Sequence, residues 1–586
     1  MRLSILRRLF SGKYILGYLL AVALFQGAME LQAQSSPFDP GWREEAARIK
    51  ETLTCFTDRG LYVVEEAIQF RAILHDSRPS HYLPWSRVLY VELVYADGAS
   101  LASGKYPVIE GKVTGEILIP ADLLSGAYYL RAYTRWMRNF GPESYSYVPL
   151  RIVNPYRSEV IEETVPENSD FLVDSPTASI SPLEFKSHPG VYRRAERINM
   201  ELHLAGGGSM RNIQGCLTVV PRLAMPAKAW KLKALDQEMD GDSALDFQLN
   251  FLPDKYGPSL SGSVVYSQAG DAHREESRIH FTLLGDLPGY LVCRPDHRGR
   301  FAVALPYVQG NLELFVQPES YDGHLEEVRI DRDFDQRQLT LPAPAFEVDD
   351  EDRQMLTIMA RKVQLSDIYH EVNPMEEKDP VAEAPPFYGK PTFTVEMDRY
   401  VLLPTMNEVF LNLVPGVTPV KRRSRNSLQI DSENPTLSMF DPLIMVDQVP
   451  VFDLETFMSI SPAKIKRIDV VEDVYVKGDL RFGGLINLVS RDRDMAGIDL
   501  PERSFFIDYL AMHPAAVELP EPFTGDGRIP DTRSTLLWLP HMELEEASAR
   551  KITFTAPDYP GEYVVLFRGL GPGGELLLAE TPFSVR

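Results

Sequence analysis

The stretch from Asp441 to Asp494 constrains this chain most, because short apolar runs, a helix cap and glycines follow one another with room only for a compact sheet-and-helix unit. Leu443 to Val446 is an apolar run of strand length. Asp447-Gln448 ends it, and Val449-Pro450 starts the return. Asp453 is placed to cap a short helix whose apolar face is Leu454, Phe457 and Met458, at i, i+3 and i+4. Ser461-Pro462 opens a turn into a strand carrying Ile465, Ile468 and Val470. Gly478, Gly483 and Gly484 mark bends before a last strand with Leu485, Ile486, Leu488 and Val489.

Upstream, Met406, Val409, Phe410 and Leu413 share one helical face, and Val414-Pro415-Gly416-Val417 follows as a turn. Taken together, residues 400 to 492 resemble the plug domain of TonB-dependent outer-membrane receptors. Two positions depart from that pattern: Gln448 stands where a glycine is usual, and Val474 to Phe482 replaces the usual Tyr-Gly. A receptor follows its plug with enough strands for a closed barrel. About 90 residues follow Asp494 here, so the expectation is a plug-like unit with no transmembrane barrel of its own.

The length of 586 residues exceeds what one core organises. Hydrophobic residues make up 44% and charged residues 24%, a globular balance, and 45 prolines with 38 glycines suit short strands joined by turns. The N-terminus reads as a secretory signal peptide over 1–33: a basic start with Arg2, Arg7, Arg8 and Lys13, an apolar core from Tyr14 to Phe25, and Leu31-Gln32-Ala33 before the cut. An uncleaved anchor is the alternative, disfavoured by the short apolar core. The expected address is the periplasm or the outer membrane, with the cell surface also open. The net charge of −23 opposes nucleic acid and anionic membrane surfaces by repulsion. Cys55, Cys216 and Cys293 are too few for a disulfide framework; buried small hydrophobes are the expected role, with one pair formed after export as the alternative.

Residues 34–155 alternate as strands at Ile68 to Leu74, Val88 to Tyr95 and Gly126 to Thr134. The phrases Thr57-Asp58-Arg59, Phe70-Arg71-Ala72 and Gly126-Ala127-Tyr128-Tyr129-Leu130-Arg131-Ala132-Tyr133-Thr134 resemble the MG2 domain of the α2-macroglobulin superfamily, with Gly60 and Val64-Glu65 replacing a usual proline and Pro-Gly. That resemblance implies a β-sandwich. Residues 156–250 are expected to form a second, macroglobulin-like sandwich. Residues 251–345 read as an Ig-like sandwich similar to carboxypeptidase-regulatory-like domains. A helix from Asp349 to about Val363 and an acidic, proline-rich linker fill 346–390, the plug-like unit takes 391–495, and a closing Ig-like sandwich takes 496–586. The fold class is therefore mainly β and multidomain, with tandem sandwiches and one small α+β unit. This order resembles a group of exported proteins found in Bacteroidetes.

Signals for chemistry are sparse. A macroglobulin thioester needs Gly-Cys-Gly-Glu-Gln, whereas Gly215-Cys216 runs on into Leu217-Thr218-Val219, a strand. No HExxH, GxSxG or P-loop pattern occurs. The expectation is a protein that is not an enzyme and holds no cofactor or metal; a hydrolase without a recognisable motif is the remote alternative. Two partner-binding candidates remain. Lys421, Arg422, Arg423 and Arg425 form a basic cluster that reads as a solvated hairpin tip or as a contact for an acidic partner or lipid phosphates. Tyr128, Tyr129, Tyr133 and Trp136 divide between the two faces of one strand, with Tyr129 and Tyr133 as candidates for an exposed aromatic face. The resemblances imply an outer-membrane barrel or another envelope protein as partner. A secreted or surface adhesive protein is the alternative.

Overall fold

The structure is a computed structural model. It describes residues 49–76, 85–161, 183–186, 190–204, 213–226, 249–266, 277–285, 287–319, 325–342, 350–370, 385–422, 425–432, 434–478, 480–513, 531–544, 549–571 and 574–586. The expected signal peptide and the tip residues Arg423 and Ser424 lie outside these residues.

Alternating apolar residues build a mainly β chain, with helix confined to a few segments. The first sandwich is continuous in sequence. Glu51–Thr57, Ala67–Asp76 and Lys112–Leu118 form one sheet, packed on a second of Leu61–Val63, Ser146–Val153, Gly126–Thr134, Val88–Val94 and Ser100–Pro107. Glu65, the residue in place of a usual glycine, turns between two of these strands at φ +69°.

The other two sandwiches are not continuous. Ile213–Pro221 runs antiparallel between Leu537–Leu544 and Gly561–Leu570, and Arg197–Leu204 pairs with Ala549–Thr555.

 The strands from Leu537 to Val585 thus complete the second sandwich, and the expected separate sandwich over 496–586 does not exist as a unit. Its strands bury Val565, Phe567, Leu577 and Phe583 against Ile198, Leu202, Leu217 and Val219 in one core. The third sandwich repeats the device. Arg300–Ala304, Ser259–Tyr266 and Leu325–Ile330 make one sheet. The other is Gly289–Cys293, Arg278–Leu284 and Gly310–Glu319, closed by Phe505–Met512 from beyond the α+β unit. The chain does change domain near 250, 345 and 496, but the sandwiches expected over 156–250 and 251–345 are completed by strands far along the chain, because a strand's partner is chosen by burial. The topology is nested: the α+β unit is inserted into the third sandwich, and both are inserted into the second.

The inserted unit follows its sequence closely. Its sheet runs Phe393–Glu396, Ile465–Val471, Leu485–Ser490, Leu443–Val446 and Val449–Pro450, with Leu443–Val446 parallel to Leu485–Ser490. Helix α1 spans Asp350–His370, α2 Met406–Asn412 and α3 Leu454–Ser459. Asp453 caps α3 as expected, its side chain accepting from Glu455 N and Thr456 N. Asp447 and Gln448 turn with φ of +49° and +70°. Asp447 accepts from Ser490 N at 2.8 Å and Met495 N at 2.9 Å, and Gln448 N donates to Asn487 Oδ1 at 2.9 Å, so hydrogen bonds hold a left-handed turn without glycine.

Helix α1 runs past its expected end near Val363. Met359 and Val363 bury into the first sandwich's core. Lys362 donates to the Arg533 carbonyl at 2.7 Å and lies 5.1 Å from the centre of the Tyr559 ring, both in the second sandwich. Among the described residues, no helix is long and apolar enough to cross a membrane.

Two predictions follow from this wiring. Deleting residues 531–586 strips Ile213–Pro221 of both neighbours, so limited proteolysis will cut within 190–221 of the truncated chain while the first sandwich survives; equal protection of 190–221 in both chains would refute the nested topology. Burial brings the Lys362 ammonium down from 10.5 to about 8. Between those values the unfolded chain binds more protons than the folded one, so this residue's contribution to stability rises with pH across that window and is flat below it. Urea titrations of wild type and Lys362→Met should show their difference shifting toward the wild type from pH 8 to 10; a pH-independent difference would contradict the burial.

Candidate binding groove

The two aromatic candidates are corrected by the structure. Tyr129 and Tyr133 are buried, as are Tyr128 and Trp136. What covers Tyr129 and Tyr133 is the segment from 331 to 342 that leaves the third sandwich. Tyr129 Oη donates to the Pro342 carbonyl. Tyr133 Oη donates to Glu92 Oε2 at 2.8 Å and accepts from Asp335 N at 2.8 Å. Its ring stacks on Tyr145 with centroids 4.2 Å apart. Arg131 Nη2 meets the same Glu92 oxygen at 2.6 Å, and this ion pair is fully buried. Burial, and then the Glu92 carboxylate, push the Tyr133 phenol well above its ordinary value. Burial also raises the Asp335 carboxyl, but hydrogen bonds from Arg337 and Tyr145 outweigh it and hold the group below the ordinary carboxylate range. These groups dock one domain on another and leave no open aromatic face.

The basic cluster lies on a hairpin of Val417–Arg422 and Arg425–Ile430. Lys421 is exposed. Arg422 and Arg425 pair at the hairpin's end, their side chains lying outside the described set, as Arg423 does entirely. Val417, Leu428 and Ile430 anchor the hairpin in the inserted unit's core beside Phe410 and Phe457.

Two clefts border this hairpin. The smaller, about 430 Å³, lies between it and α3 and is lined by Lys421, Asn426, Leu454, Glu455 and Met458 among others. The larger, about 680 Å³, opens between the inserted unit and the third sandwich, where Arg278 and Glu319 face Asp441, Phe452 and Arg481. Asn426, Ser427, Leu428 and Leu454 line both, so the clefts form one groove along Arg425–Ile430.

The groove's base is rigid. His280 is buried on the third sandwich, 2.7 Å from Tyr290 Oη through Nδ1 and 3.1 Å from Glu319 Oε2 through Nε2. Its ring lies 4.5 Å from that of Phe452 in the inserted unit. Tyr290 continues this contact into a cluster with Leu443, Met445 and Leu485, flanked by Phe387 and Tyr475. Among the described residues, no group of three or more His, Cys, Asp or Glu side chains is disposed to hold a metal ion. Cys55, Cys216 and Cys293 are free thiols, the first two buried.

No family model and no curated protein matches the chain. Among solved structures it is similar to Salmonella alpha-2-macroglobulin reacted with methylamine, at 10% identity, with 92% of this chain and 39% of that chain covered and a TM-score of 0.22. Trypsin-activated alpha-2-macroglobulin from Escherichia coli gives 9% identity, 92% and 41% coverage and a TM-score of 0.21. A tetra-tandem repeat from the extending region of a large adhesion protein gives 7% identity, 92% and 99% coverage and a TM-score of 0.11. The chain spans about two fifths of the two macroglobulin chains. Scores this low leave any functional reading to the geometry of the chain itself.

Sequence reasoning reached Lys421 but missed Asn426, Arg481, Arg278 and Glu319. Arg278 and Glu319 carry no local signal, because the third sandwich meets the hairpin only in the folded chain. Asn426 and Arg481 lie in short strands, Arg425–Ile430 and Leu480–Phe482, that the sequence reading did not mark. Replacing Tyr133 with phenylalanine removes a hydroxyl that links Glu92 to Asp335 N, and should cost about 1–3 kcal/mol in chemical denaturation without changing the capture of any envelope partner. Loss of a partner with unchanged stability would restore the aromatic face as a binding surface.

Proposed function

We propose that this chain is a non-catalytic exported protein of the cell envelope, a scaffold whose inserted α+β unit binds an outer-membrane partner. The observation that carries the reading is the placement of that unit. Its C-terminal end leads into Phe505–Met512 of the third sandwich, an aromatic contact around Tyr290 and Phe452 fixes it, and its hairpin borders a groove. A rigid body that presents a groove suits binding, since little ordering cost remains to be met on association.

Three features of the sequence support the envelope. The first 33 residues have the pattern of a secretory signal, residues 57–134 resemble an MG2 domain, and residues 400–492 resemble the plug of TonB-dependent receptors. A unit resembling a plug points to a barrel or an energy-coupling protein as partner. The exported proteins of Bacteroidetes with this domain order are the group it resembles.

The test is in-cell photo-crosslinking of the full chain in its native host, with the reactive group at Lys421 or, as control, at Lys551 on the exposed face of Ala549–Thr555. An outer-membrane barrel protein linked from position 421 and not from 551 is the expected result. Recovery as a free soluble protein with no envelope partner would overturn the reading.

A further inference from the structure

A lysine is almost never fully buried, and burying it with a carboxylate strips water from both charges. Two lysine–carboxylate pairs among the described residues, Lys112 with Glu543 and Lys186 with Glu201, lie within reach of water. Lys105 does not. Its side chain is 2% exposed, and Nζ lies 2.5 Å from Oδ2 of Asp333, whose side chain is 13% exposed. Lys105 belongs to Ser100–Pro107 of the first sandwich, and Asp333 to the segment that leaves the third.

The surroundings of this pair are closed. The Tyr509 ring, from Phe505–Met512, caps Nζ with its centre 3.8 Å away. Asp254 is buried close enough to act on Lys105 by charge, and it accepts from Tyr90 Oη and Ser259 N, each at 2.9 Å. Arg135 Nη1 lies 3.8 Å from the other Asp333 oxygen, Oδ1. Burial draws the Lys105 ammonium below its ordinary value, although Asp333 pulls the other way. Burial likewise holds the Asp254 carboxyl above the ordinary carboxylate range. Such a place favours neutral groups over charged ones.

An amine and a carboxyl held there have a route to neutrality. One proton passes from Nζ to Oδ2 along their hydrogen bond, leaving a free amine and a carboxylic acid. The lone pair on Nζ adds to Cγ, which the 2.5 Å contact puts no more than about 3.7 Å away. The π electrons move onto Oδ1, where the charge of Arg135 favours them. A second proton goes from Nζ to Oδ2, the Cγ–Oδ2 bond breaks, and Oδ2 leaves as water. One ammonium and one carboxylate thus become one amide and one water, with atoms and charge balanced. In open solution water reverses this condensation. In the closed junction the ion pair carries a desolvation cost that the amide lacks.

We propose that Lys105 and Asp333 join in an intramolecular isopeptide bond, a covalent strap from the first sandwich to the segment leaving the third. The strap goes beyond the binding role above and does not depend on it. It keeps the two sandwiches docked even where their noncovalent contacts open.

The experiment is mass spectrometry of the purified full chain, denatured after folding. The intact mass should fall short of the mass its sequence gives by one water. Trypsin should then spare Lys105 and release residues 88–112 joined to the peptide that carries Asp333. Lys105→Met and Asp333→Ala should each restore the missing water and abolish the branched peptide, whereas Lys112→Met should keep the bond. The wild-type digest decides by itself, whether or not either variant folds. Cleavage after Lys105, with Asp333 recovered in a linear peptide, would overturn the inference and leave a buried ion pair. A water lost elsewhere on the chain leaves Lys105 cleavable and counts against the strap in the same way.

Discussion

The fold depends on a buried cluster of charge at Asp58, Arg59 and Glu66. Arg59 Nη1 lies 3.0 Å from both Glu66 carboxylate oxygens, and Tyr62 Oη lies 2.6 Å from Asp58 Oδ1. The same two carboxylates accept from Ser534 Oγ, at 2.7 Å, and from Thr535 Oγ1. Residues near the start of the first sandwich thereby grip the stretch that begins the last pass through the second. Thr218 Oγ1 reaches the Asp58 carbonyl at 2.7 Å, and Arg568 donates to the Thr57 carbonyl. Breaking one member of such a set leaves an uncompensated buried charge, which costs more than the intact set contributes. The cluster therefore acts less as a source of stability than as a condition on docking: the sandwiches meet in the one arrangement that satisfies these groups.

A second buried set orients the third sandwich. Arg131 and Glu92 pair under the 331–337 segment, Lys105 meets Asp333, and Arg135 donates to the Ser259 carbonyl at 2.7 Å. On the far side, Phe505–Met512 ends in His513, whose N–H donates to the Lys105 carbonyl at 2.7 Å and whose ring stacks on Tyr106. The third sandwich is thus tied to the first by both the strand that leaves it and the strand that completes it. Arg278 and Glu319 reach the groove from this sandwich, so the groove's width is set by contacts made in another domain.

Local structure was legible and pairing was not. Leu443 to Val446, the Asp453 cap and the apolar face of α3 carry their signals within a few residues, and each appears where the sequence places it. The continuous apolar run from Tyr563 to Phe567 likewise has strand character, but says nothing about which strand lies beside it. That choice is made by the shared core of Leu217, Val219, Val565 and Phe567. Tyr129 and Tyr133 failed for a related reason. Alternation separates the faces of a strand without revealing that a segment some 200 residues later covers one of them. Of the groove, Lys421 was visible as charge.

Nesting also explains how a small inserted unit can be held with a fixed aspect. A domain joined by one linker samples orientations unless a large interface restrains it. Here the chain leaves the third sandwich, crosses the first, runs through α1 between the first and second, and returns from the inserted unit into Phe505–Met512. The C-terminal end of the unit leads into Phe505–Met512, paired in the third sandwich, and Tyr290 with its aromatic neighbours restrains the face that meets that sandwich. One anchored end and one apolar contact restrain the hairpin's rotation.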